Sequence, residues 1–419
     1  MPAVDVKIDG HSPGAVVTPG SDEELCSALR AANDEGRAVV AVGGGTLQAI
    51  GERPRRYDVA LATARLDRVF AYDNRDLTIG VGAGLTVNKF AAVLAKNRQF
   101  VPLDAPRATR ATVGGTLAAG WLGPRRSTYG RPRDLVIGTT VALADGTLGH
   151  AGGMVVKNVT GYDLSKLYVG SLGTLGVIAR ANFKTLPLPA AFRFAVAPLP
   201  EGSKTRAVAH LQSLDVEPTA ALLVQGFREI LPFEEGADGA VALVFEGSTV
   251  AVERATRNLR SALGAAGVPE TRIQDAGGPE AFARLIDAYV ATIAGRSVTL
   301  RALGLPESAL TREFAVREAL TPTATFLDTI VDLRSGDLIA RVFVDGSLAA
   351  PAIRGTLSDA VAALRERIPQ ATILARGVVL DGEIEAWGAP PSALETMRAL
   401  KARFDPRGTL APGRFVGGI

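Results

Sequence analysis

Residues 112–120 read TVGGTLAAG and residues 170–178 read GSLGTLGVI, and these two segments bound the stretch that decides the fold. Glycines at this density, set between apolar β-branched residues, indicate sharp turns and a backbone that lies close to a neighbour without intervening Cβ atoms. A flat ligand carrying phosphate groups would suit such a surface. A loop-rich β domain whose glycines serve only turns is the alternative. Glycine patterns are weak motifs, so these segments alone leave both interpretations open.

A further glycine segment follows a buried strand near the N-terminus. Ser21 and Glu24 predict a capping box and a helix, and Ala38–Val42 then predicts a strand. Gly43–Thr46 follows that strand directly, and successive backbone N–H groups in such a loop can bind a diphosphate. A dinucleotide fingerprint would need G-x-G-x-x-G at the start of a helix. Residues 47–54 make a poor helix start, so a Rossmann domain is disfavoured.

Length and composition restrict the class of protein. The 419 residues predict two or three domains, and 47% hydrophobic with 21% charged residues is typical of a globular protein. A net charge of +3 and 5% aromatic residues give no reason to expect a nucleic-acid partner. No run approaches the ~20 apolar residues of a membrane span. Residues 1–20 do not resemble a signal peptide, so a cytoplasmic location is expected.

Metal and cluster chemistry is also restricted. Cys26 is the single cysteine, which excludes an intrachain disulfide and a cysteine-ligated iron–sulfur cluster. The three histidines, His11, His150 and His210, have no metal-ligand spacing. We therefore expect no metal site.

The pattern changes after the prolines at 187, 189, 198 and 200, where a second unit is predicted to begin. Runs typical of strands alternate there with runs typical of helices. The predicted strands are Phe192–Ala197, Ala220–Gln225, Ala240–Glu246, Val298–Leu303 and Ile339–Val344. The predicted helices are Ser203–Leu214, Thr249–Ala266, Pro279–Ala291, Glu307–Ala319 and Ala352–Arg367. This order predicts an α+β domain with an antiparallel sheet. A last helix is expected over Ser392–Arg403.

Several blocks in a fixed order resemble a known family. They are the GGGT loop, PLDAPRATRATVGGTLAAG, RSTYG, the DG hairpin, VKNVTGYDLSKLYVGSLGTLGVI and the terminal FDPRGTLAPGR. This order resembles the FAD-binding domain of the vanillyl-alcohol oxidase/para-cresol methylhydroxylase (PCMH) superfamily, and within it the glycolate oxidase FAD-binding subunit group. The resemblance covers about residues 15–189 and the last fifteen residues. It implies an α+β fold with a two-subdomain PCMH-type FAD-binding domain over residues 1–190, an α+β cap domain over 191–375, and a segment over 376–419 that returns to the FAD domain.

The resemblance also implies which residues bind FAD. The matching positions are Gly43, Gly44, Gly45, Thr46 and Leu47 at the pyrophosphate loop; Asp104; Thr112, Gly114, Gly115, Thr116 and Gly120 at a second FAD loop; Ser127, Tyr129 and Gly130 near the ribityl and pyrophosphate groups; Gly176, Val177 and Ile178 at the adenine half; and Arg414 near the flavin ring. A cation at the ring would stabilise the negative charge of reduced flavin.

The chain also departs from the family pattern. The first loop contains no histidine or cysteine, so FAD is expected to be non-covalent. Ala411 stands where the family usually has asparagine. Catalytic relatives carry a histidine-rich motif late in the chain, whereas residues 371–390 contain no histidine. The catalytic residues therefore stay unknown, and the only polar or aromatic candidates are Tyr162, Asp163, Arg376 and Trp387.

These observations favour one functional hypothesis and leave two others open. The resemblance implies an FAD-binding subunit of a glycolate or other 2-hydroxyacid dehydrogenase complex, with a larger catalytic flavoprotein subunit and an iron–sulfur subunit as partners. Membrane association would then be at most peripheral and through those partners. The alternatives are a self-sufficient FAD-dependent 2-hydroxyacid oxidoreductase and a structural subunit without redox turnover.

Overall fold

The computed structural model describes residues 6–155, 162–214, 217–231, 237, 239–377 and 384–419. The chain divides into two compact units. The first contains residues 1–126, 130–188 and 385–419, and the second contains residues 127–129 and 189–384. No helix in the described ranges has both the length and the apolar character needed to cross a bilayer.

The secondary structure is as follows. The strands are β1 Ala15–Val17, β2 Val39–Val42, β3 Val59–Ala62, β4 Val69–Asp73, β5 Thr78–Gly82, β6 Gln99–Phe100, β7 Val136–Ala142, β8 Leu148–Gly152, β9 Val177–Lys184, β10 Leu186–Pro187, β11 Ala191–Pro198, β12 Ala220–Gln225, β13 Ala240–Gly247, β14 Gln274–Asp275, β15 Ser297–Ala302, β16 Phe326–Asp332, β17 Leu338–Phe343 and β18 Thr372–Arg376. The α-helices are α1 Asp22–Asp34, α2 Val87–Ala95, α3 Val113–Ala118, α4 Arg126–Tyr129, α5 Pro132–Leu135, α6 Ser165–Tyr168, α7 Lys204–Gln212, α8 Thr249–Ala265, α9 Pro279–Asp287, α10 Ala309–Leu320, α11 Ala350–Arg367 and α12 Leu394–Phe404.

The first unit contains two main sheets. Strands β1, β3 and β2 form a parallel sheet in that order, and β4, β5, β9, β7 and β8 form an antiparallel sheet in that order. Helix α1 starts as the sequence predicts, because the Ser21 hydroxyl accepts a hydrogen bond from Glu24 N at 3.2 Å. The Glu24 carboxylate reaches back to Gly20 N at 2.7 Å, one residue before the predicted partner.

The C-terminal segment completes the parallel sheet of the first unit. Val39 of β2 donates its N–H to Thr409 O at 2.7 Å and accepts a hydrogen bond from Ala411 N at 2.8 Å. Leu410 and Ala411 are each 1% exposed. The chain end therefore adds to the strand that leads into the first glycine segment, and it is part of the fold of that unit.

The second unit is built on an antiparallel sheet with the strand order β14-β11-β13-β12-β16-β17-β15-β18. Helix α8 contacts β11 and β13, and α10 contacts β16 and β17. The sheet contains a buried ion pair: Arg341 on β17 lies opposite Asp328 on β16 and its Nε donates to that carboxylate at 2.9 Å. Arg341 also donates to Glu229 Oε1 at 2.6 Å, so its charge is shared between two carboxylates.

The predicted α+β fold class is confirmed: a first unit with two main sheets accompanies a second unit with helices and an antiparallel sheet. One local prediction is wrong. Gly114, Gly115 and Thr116 do not form a loop, because they lie inside helix α3. The strands β16 and β18 are absent from the predicted set.

Candidate functional site

A cleft with about 480 Å³ of empty space, open to solvent, lies at the end of β2 in the first unit. It combines the two glycine segments of the sequence with a leucine and an arginine that come from later in the chain. The lining residues are Val40, Ala41, Gly43, Gly44, Gly45, Thr46, Leu47, Gln48, Thr112, Gly115, Ala118, Ala119, Leu172 and Arg414. The structure thus brings together residues separated by as much as 374 positions, and most of them are small.

The first glycine segment presents a row of free backbone donors. The N–H groups of residues 43–48 donate to no group of the described chain. Backbone N–H groups that are away from water are nearly always hydrogen-bonded, so an unpaired run that lines a cleft indicates bound water or a ligand. Consecutive N–H groups in a turn form a concave anion site. The run can therefore hold a phosphate or diphosphate group.

Glycine is required at positions 43 and 44 because this segment lies in close contact with residues 110–112. A Cβ on Gly43 would overlap the Thr112 side chain, and a Cβ on Gly44 would overlap the carbonyl oxygen of Arg110. Gly45 has a φ of +68°, a conformation that favours glycine. The close approach that the glycines predicted is thus an approach to residues 110–112, and it shapes the floor of the cleft.

Helix α3 forms a second wall of the cleft. The Thr112 hydroxyl accepts a hydrogen bond from Gly115 N at 3.1 Å and so caps the helix. A Cβ on Gly114 would lie 2.5 Å from the Ala83 Cβ, so this helix packs unusually close to its neighbour. Thr116 is 1% exposed, and its hydroxyl donates a hydrogen bond to the Thr112 carbonyl within the same helix. Of the predicted residues here, Thr112 and Gly115 line the cleft.

The third glycine segment packs against the end of α3. Gly170 and Leu172 donate their N–H groups to the carbonyls of Leu117 and Ala118, at 2.9 and 2.8 Å. A Cβ on Gly120 would lie 2.8 Å from the Gly170 Cα. Leu172 has a φ of +53° and its side chain lines the cleft. Leu172 is not among the predicted site residues, although the glycines at 170 and 173 are a signal for an unusual turn.

Arg414 is buried, with 2% of its surface exposed. Its guanidinium donates to the carbonyls of Gln48, Ile50 and Glu52, at 3.1, 2.7 and 3.2 Å. The residue therefore lies at the cleft, and it binds the segment that follows the first glycine loop. Contact with a flavin ring stays a prediction.

Ala411, in the same C-terminal segment, adopts a left-handed backbone conformation, with a φ of +41°. Asparagine and glycine tolerate this conformation better than alanine does, which explains why the family pattern has asparagine there. The position is almost fully buried, so glycine is the suitable replacement because it adds no atoms to the core.

We expect Ala411→Gly to raise the free energy of unfolding by up to about 1 kcal/mol, because it relieves backbone strain without adding atoms. Urea unfolding of the two proteins measures the change. Ala265→Gly at the exposed end of α8 is the control, and it should lose about 0.5–1 kcal/mol because its backbone is helical. A loss of stability in Ala411→Gly equal to that in the control would contradict the strain argument.

Asp104 has a structural partner. Its carboxylate accepts hydrogen bonds from Arg125 N and Arg125 Nε, at 3.0 and 2.7 Å, and its side chain is 2% exposed. Its backbone carbonyl accepts a hydrogen bond from Trp121 Nε1. Asp104 thus organises the turn after α3 and is not among the residues that line the cleft, so its role in binding FAD stays a prediction.

The remaining predicted cofactor residues lie elsewhere. Ser127 and Tyr129 belong to α4 and are grouped with the second unit, and Gly130 follows the helix with a φ of +88°. Gly176 precedes β9, and a Cβ there would overlap Val141. The side chains of Val177 and Ile178 pack in the cores of the first unit. Only backbone atoms of these three residues could meet a ligand.

The catalytic candidates have no shared site in the described residues. Tyr162 is 96% exposed and Asp163 forms an ion pair with Lys166 at 3.3 Å. Arg376 ends β18 in the second unit. Trp387 Nε1 donates to the Arg414 carbonyl at 3.1 Å, so it supports the C-terminal segment. Residues 156–161, which include part of the KNVTGYDL block, lie outside the described residues, as do residues 378–383 in the stretch without histidine.

Within the described ranges, no group of three or more His, Cys, Asp or Glu side chains could hold a metal ion. His150 on β8 contacts the Thr140 hydroxyl at 3.1 Å on the neighbouring strand.

Comparisons with known proteins show what the chain is similar to. Residues 13–152 match the family described as the FAD binding domain. The chain is 28% identical to glycolate oxidase subunit GlcD of Bacillus subtilis (strain 168) over 447 residues, which covers 96% of this chain and 89% of the relative. It is 42% identical to glycolate oxidase subunit GlcE of Escherichia coli (strain K12) over 121 residues, which covers 29% of this chain and 35% of the relative.

Among solved structures, p-cresol methylhydroxylase with substrate bound superposes with a TM-score of 0.71 at 15% identity, covering 95% of this chain and 88% of that one. At this identity the likeness shows the fold. Residues 13–152 of the chain are thus similar to the FAD-binding domain family, the chain shares the fold of p-cresol methylhydroxylase, and its cofactor is FAD.

Proposed function

We propose that this chain is the FAD-binding subunit of a glycolate or other 2-hydroxyacid dehydrogenase complex. The relatives named as glycolate oxidase subunits support the substrate class. Two such subunits resemble the same chain, which supports membership of a complex. A larger catalytic flavoprotein subunit and an iron–sulfur subunit are the proposed partners. Electrons would leave through the iron–sulfur partner, because Cys26 is the only cysteine here.

The observation that carries the proposal is the unpaired run of backbone N–H groups over residues 43–48. It suits the FAD diphosphate, since six consecutive neutral donors line one cleft and the first three belong to glycines. Thr46 adds a hydroxyl, and Gly115 and Ala119 leave room on the opposite wall. Bound FAD would supply the two-electron acceptor for oxidation of a C–OH group.

We also propose that FAD is bound non-covalently, since the described lining of the cleft contains no histidine or cysteine. The same proposal assigns residues 1–190 and 376–419 to FAD binding and residues 191–375 to a cap domain. Asp104, Ser127, Tyr129, Gly130 and the backbone of residues 176–178 stay proposed FAD contacts. A cytoplasmic location stays a prediction.

We expect the purified chain to show an oxidised flavin spectrum that does not bleach when glycolate or D-lactate is added without oxygen. The physical reason is that residues 371–390 contain no histidine to accept the hydroxyl proton. Adding the two partner subunits should restore bleaching. The measurement is anaerobic visible absorption.

Each other outcome of that experiment selects a different function. Bleaching of the chain alone would show a self-sufficient oxidoreductase. A colourless protein that takes up no added FAD would support the hypothesis of a structural subunit without redox turnover.

A further inference from the structure

We propose that Arg414 is a positioning residue that holds the first glycine loop in its anion-binding conformation, and that it does not act as a charge on the flavin ring. This inference rests on the proposed FAD cleft. Its supporting observations are the burial of the residue, its carbonyl partners and the geometry of the peptide groups they belong to.

The contacts of Arg414 join the C-terminal segment to the segment just after the loop. The guanidinium donates to the carbonyls of Gln48, Ile50 and Glu52, which span five residues. The backbone adds to this: the Arg414 carbonyl accepts a hydrogen bond from Glu52 N at 2.9 Å, and the Pro412 carbonyl accepts one from Arg55 N at 2.9 Å. The two segments are thus tied by both main chain and side chain.

An arginine guanidinium can bind these three carbonyls with one side chain, whereas a lysine ammonium could not. The planar guanidinium fork offers five donors at fixed angles, so one side chain can bind several carbonyls at once. Three carbonyls also satisfy a buried cation that has little access to water. An ammonium group at the same place would reach fewer of them.

The bonded carbonyls set the direction of the neighbouring N–H groups. In a planar trans peptide the C=O and the following N–H point in opposite directions. Arg110 Nη2 donates to Gly44 O at 3.3 Å, which directs the N–H of Gly45 away from Arg110. Arg414 fixes the peptide after Gln48 in the same way. Arg110 therefore orients a donor inside the run, and the buried Arg414 fixes the peptide directly after the run, whose N–H belongs to Ala49.

The two possible roles of Arg414 predict different results. A charge beside the flavin ring would change the midpoint potential of bound FAD, and Lys would replace Arg with little loss. A residue that positions the loop would change the affinity for FAD, and Lys would not replace it. The potential would then stay the same, because the loop meets the diphosphate.

The experiment is to titrate FAD-free protein with FAD, following flavin fluorescence, and to measure the midpoint potential of each reconstituted protein. We expect Arg414→Gln and Arg414→Lys to raise the dissociation constant for FAD about tenfold or more, since each loses hydrogen bonds made by a charged group. The midpoint potential should equal that of the wild type. Amide hydrogen exchange at Ile50, Glu52 and Arg55, whose N–H groups are hydrogen-bonded, should become faster in both variants.

Arg398→Gln is the matched control, because Arg398 also lies near the chain end and donates to Gly417 O at 3.2 Å, but it is exposed and does not line the cleft. It should bind FAD as the wild type does. Wild-type affinity in Arg414→Lys together with a changed potential in Arg414→Gln would overturn the proposal. If Arg414→Gln does not fold, the same readings on Arg414→Lys decide: weak binding at unchanged potential supports the inference and wild-type binding overturns it. A wild-type chain that binds no FAD would instead refute the proposed function.

Discussion

Gly44→Ala is expected to weaken FAD binding about a hundredfold. The added Cβ would overlap the carbonyl oxygen of Arg110, which is backbone and cannot rotate away. Residues 43–44 and residues 110–112, which form the floor of the cleft, must then separate. Overpacking of this kind typically costs 1–3 kcal/mol. The upper end of that range corresponds to roughly a hundredfold in affinity. Fluorescence titration of FAD-free protein with FAD measures the loss.

Gly153→Ala is the matched control for this substitution. Gly153 lies in the same unit, and a Cβ there would meet no atom within 4 Å. Its FAD affinity and its free energy of unfolding should stay within error of the wild type. If Gly44→Ala binds FAD as tightly as this control does, the cleft between residues 43–48 and helix α3 is not where the diphosphate binds.

The glycine segments show what local sequence can and cannot predict. Glycine density correctly indicated a close approach, because no other residue permits one. It could not identify the neighbour, which for Gly44 is the backbone of Arg110, 66 residues later. Helix α3 escaped prediction for a related reason. Two glycines weaken a helix by about 1 kcal/mol each, and here the Thr112 cap and tight packing against Ala83 outweigh that preference.

The strand β16 illustrates a second limit. Its sequence, FLDTIVD, contains two aspartates, which are depleted in strands. Asp328 is buried there because Arg341 lies directly opposite on β17 and pairs with it. Burial raises the pKa of the Asp328 carboxyl above its ordinary value, against the effect of Arg341. Such a strand depends on a partner 13 residues away, and no pattern within seven residues could predict it.

Arg414 shows the same limit within the cleft. The family pattern predicts a basic residue near the chain end at the flavin ring, and in the structure Arg414 lines the cleft. The three carbonyls that it binds carry no sequence signal, since every residue has a carbonyl. The role of the side chain could therefore be inferred only from coordinates.

Asp405→Ala is expected to lower the free energy of unfolding at pH 7 by about 3 kcal/mol, since it breaks a buried ion pair from one side. The Asp405 side chain is fully buried and accepts hydrogen bonds from Lys401 Nζ at 2.6 Å, Thr409 N at 2.9 Å and Leu410 N at 2.7 Å. Lys401 Nζ also donates to the carbonyls of Thr174 and Leu410. Removing the Asp405 carboxylate leaves the Lys401 ammonium with only these two neutral carbonyl acceptors.

The loss in Asp405→Ala should become smaller as the pH rises. Burial already lowers the pKa of Lys401 below its ordinary value of 10.5, although Asp405 opposes this. Without Asp405 the folded-state pKa falls further. Between that lower pKa and the unfolded value, the unfolded chain binds more protons, so stability increases with pH in that window. Urea unfolding at pH 7 and at about pH 9.5 measures the trend.

Asp34→Ala is the control for the ion pair, because Asp34 pairs with Arg407 at 3.5 Å on the surface, with side chains 67% and 58% exposed. An exposed pair contributes at most about 1 kcal/mol, so this variant should lose little and show no recovery at high pH. Equal losses in the two variants would mean that the Asp405 network is not buried in solution. A large loss in Asp405→Ala that does not change with pH would show that Lys401 stays charged there, and that the unsatisfied N–H groups of Thr409 and Leu410 account for the whole effect.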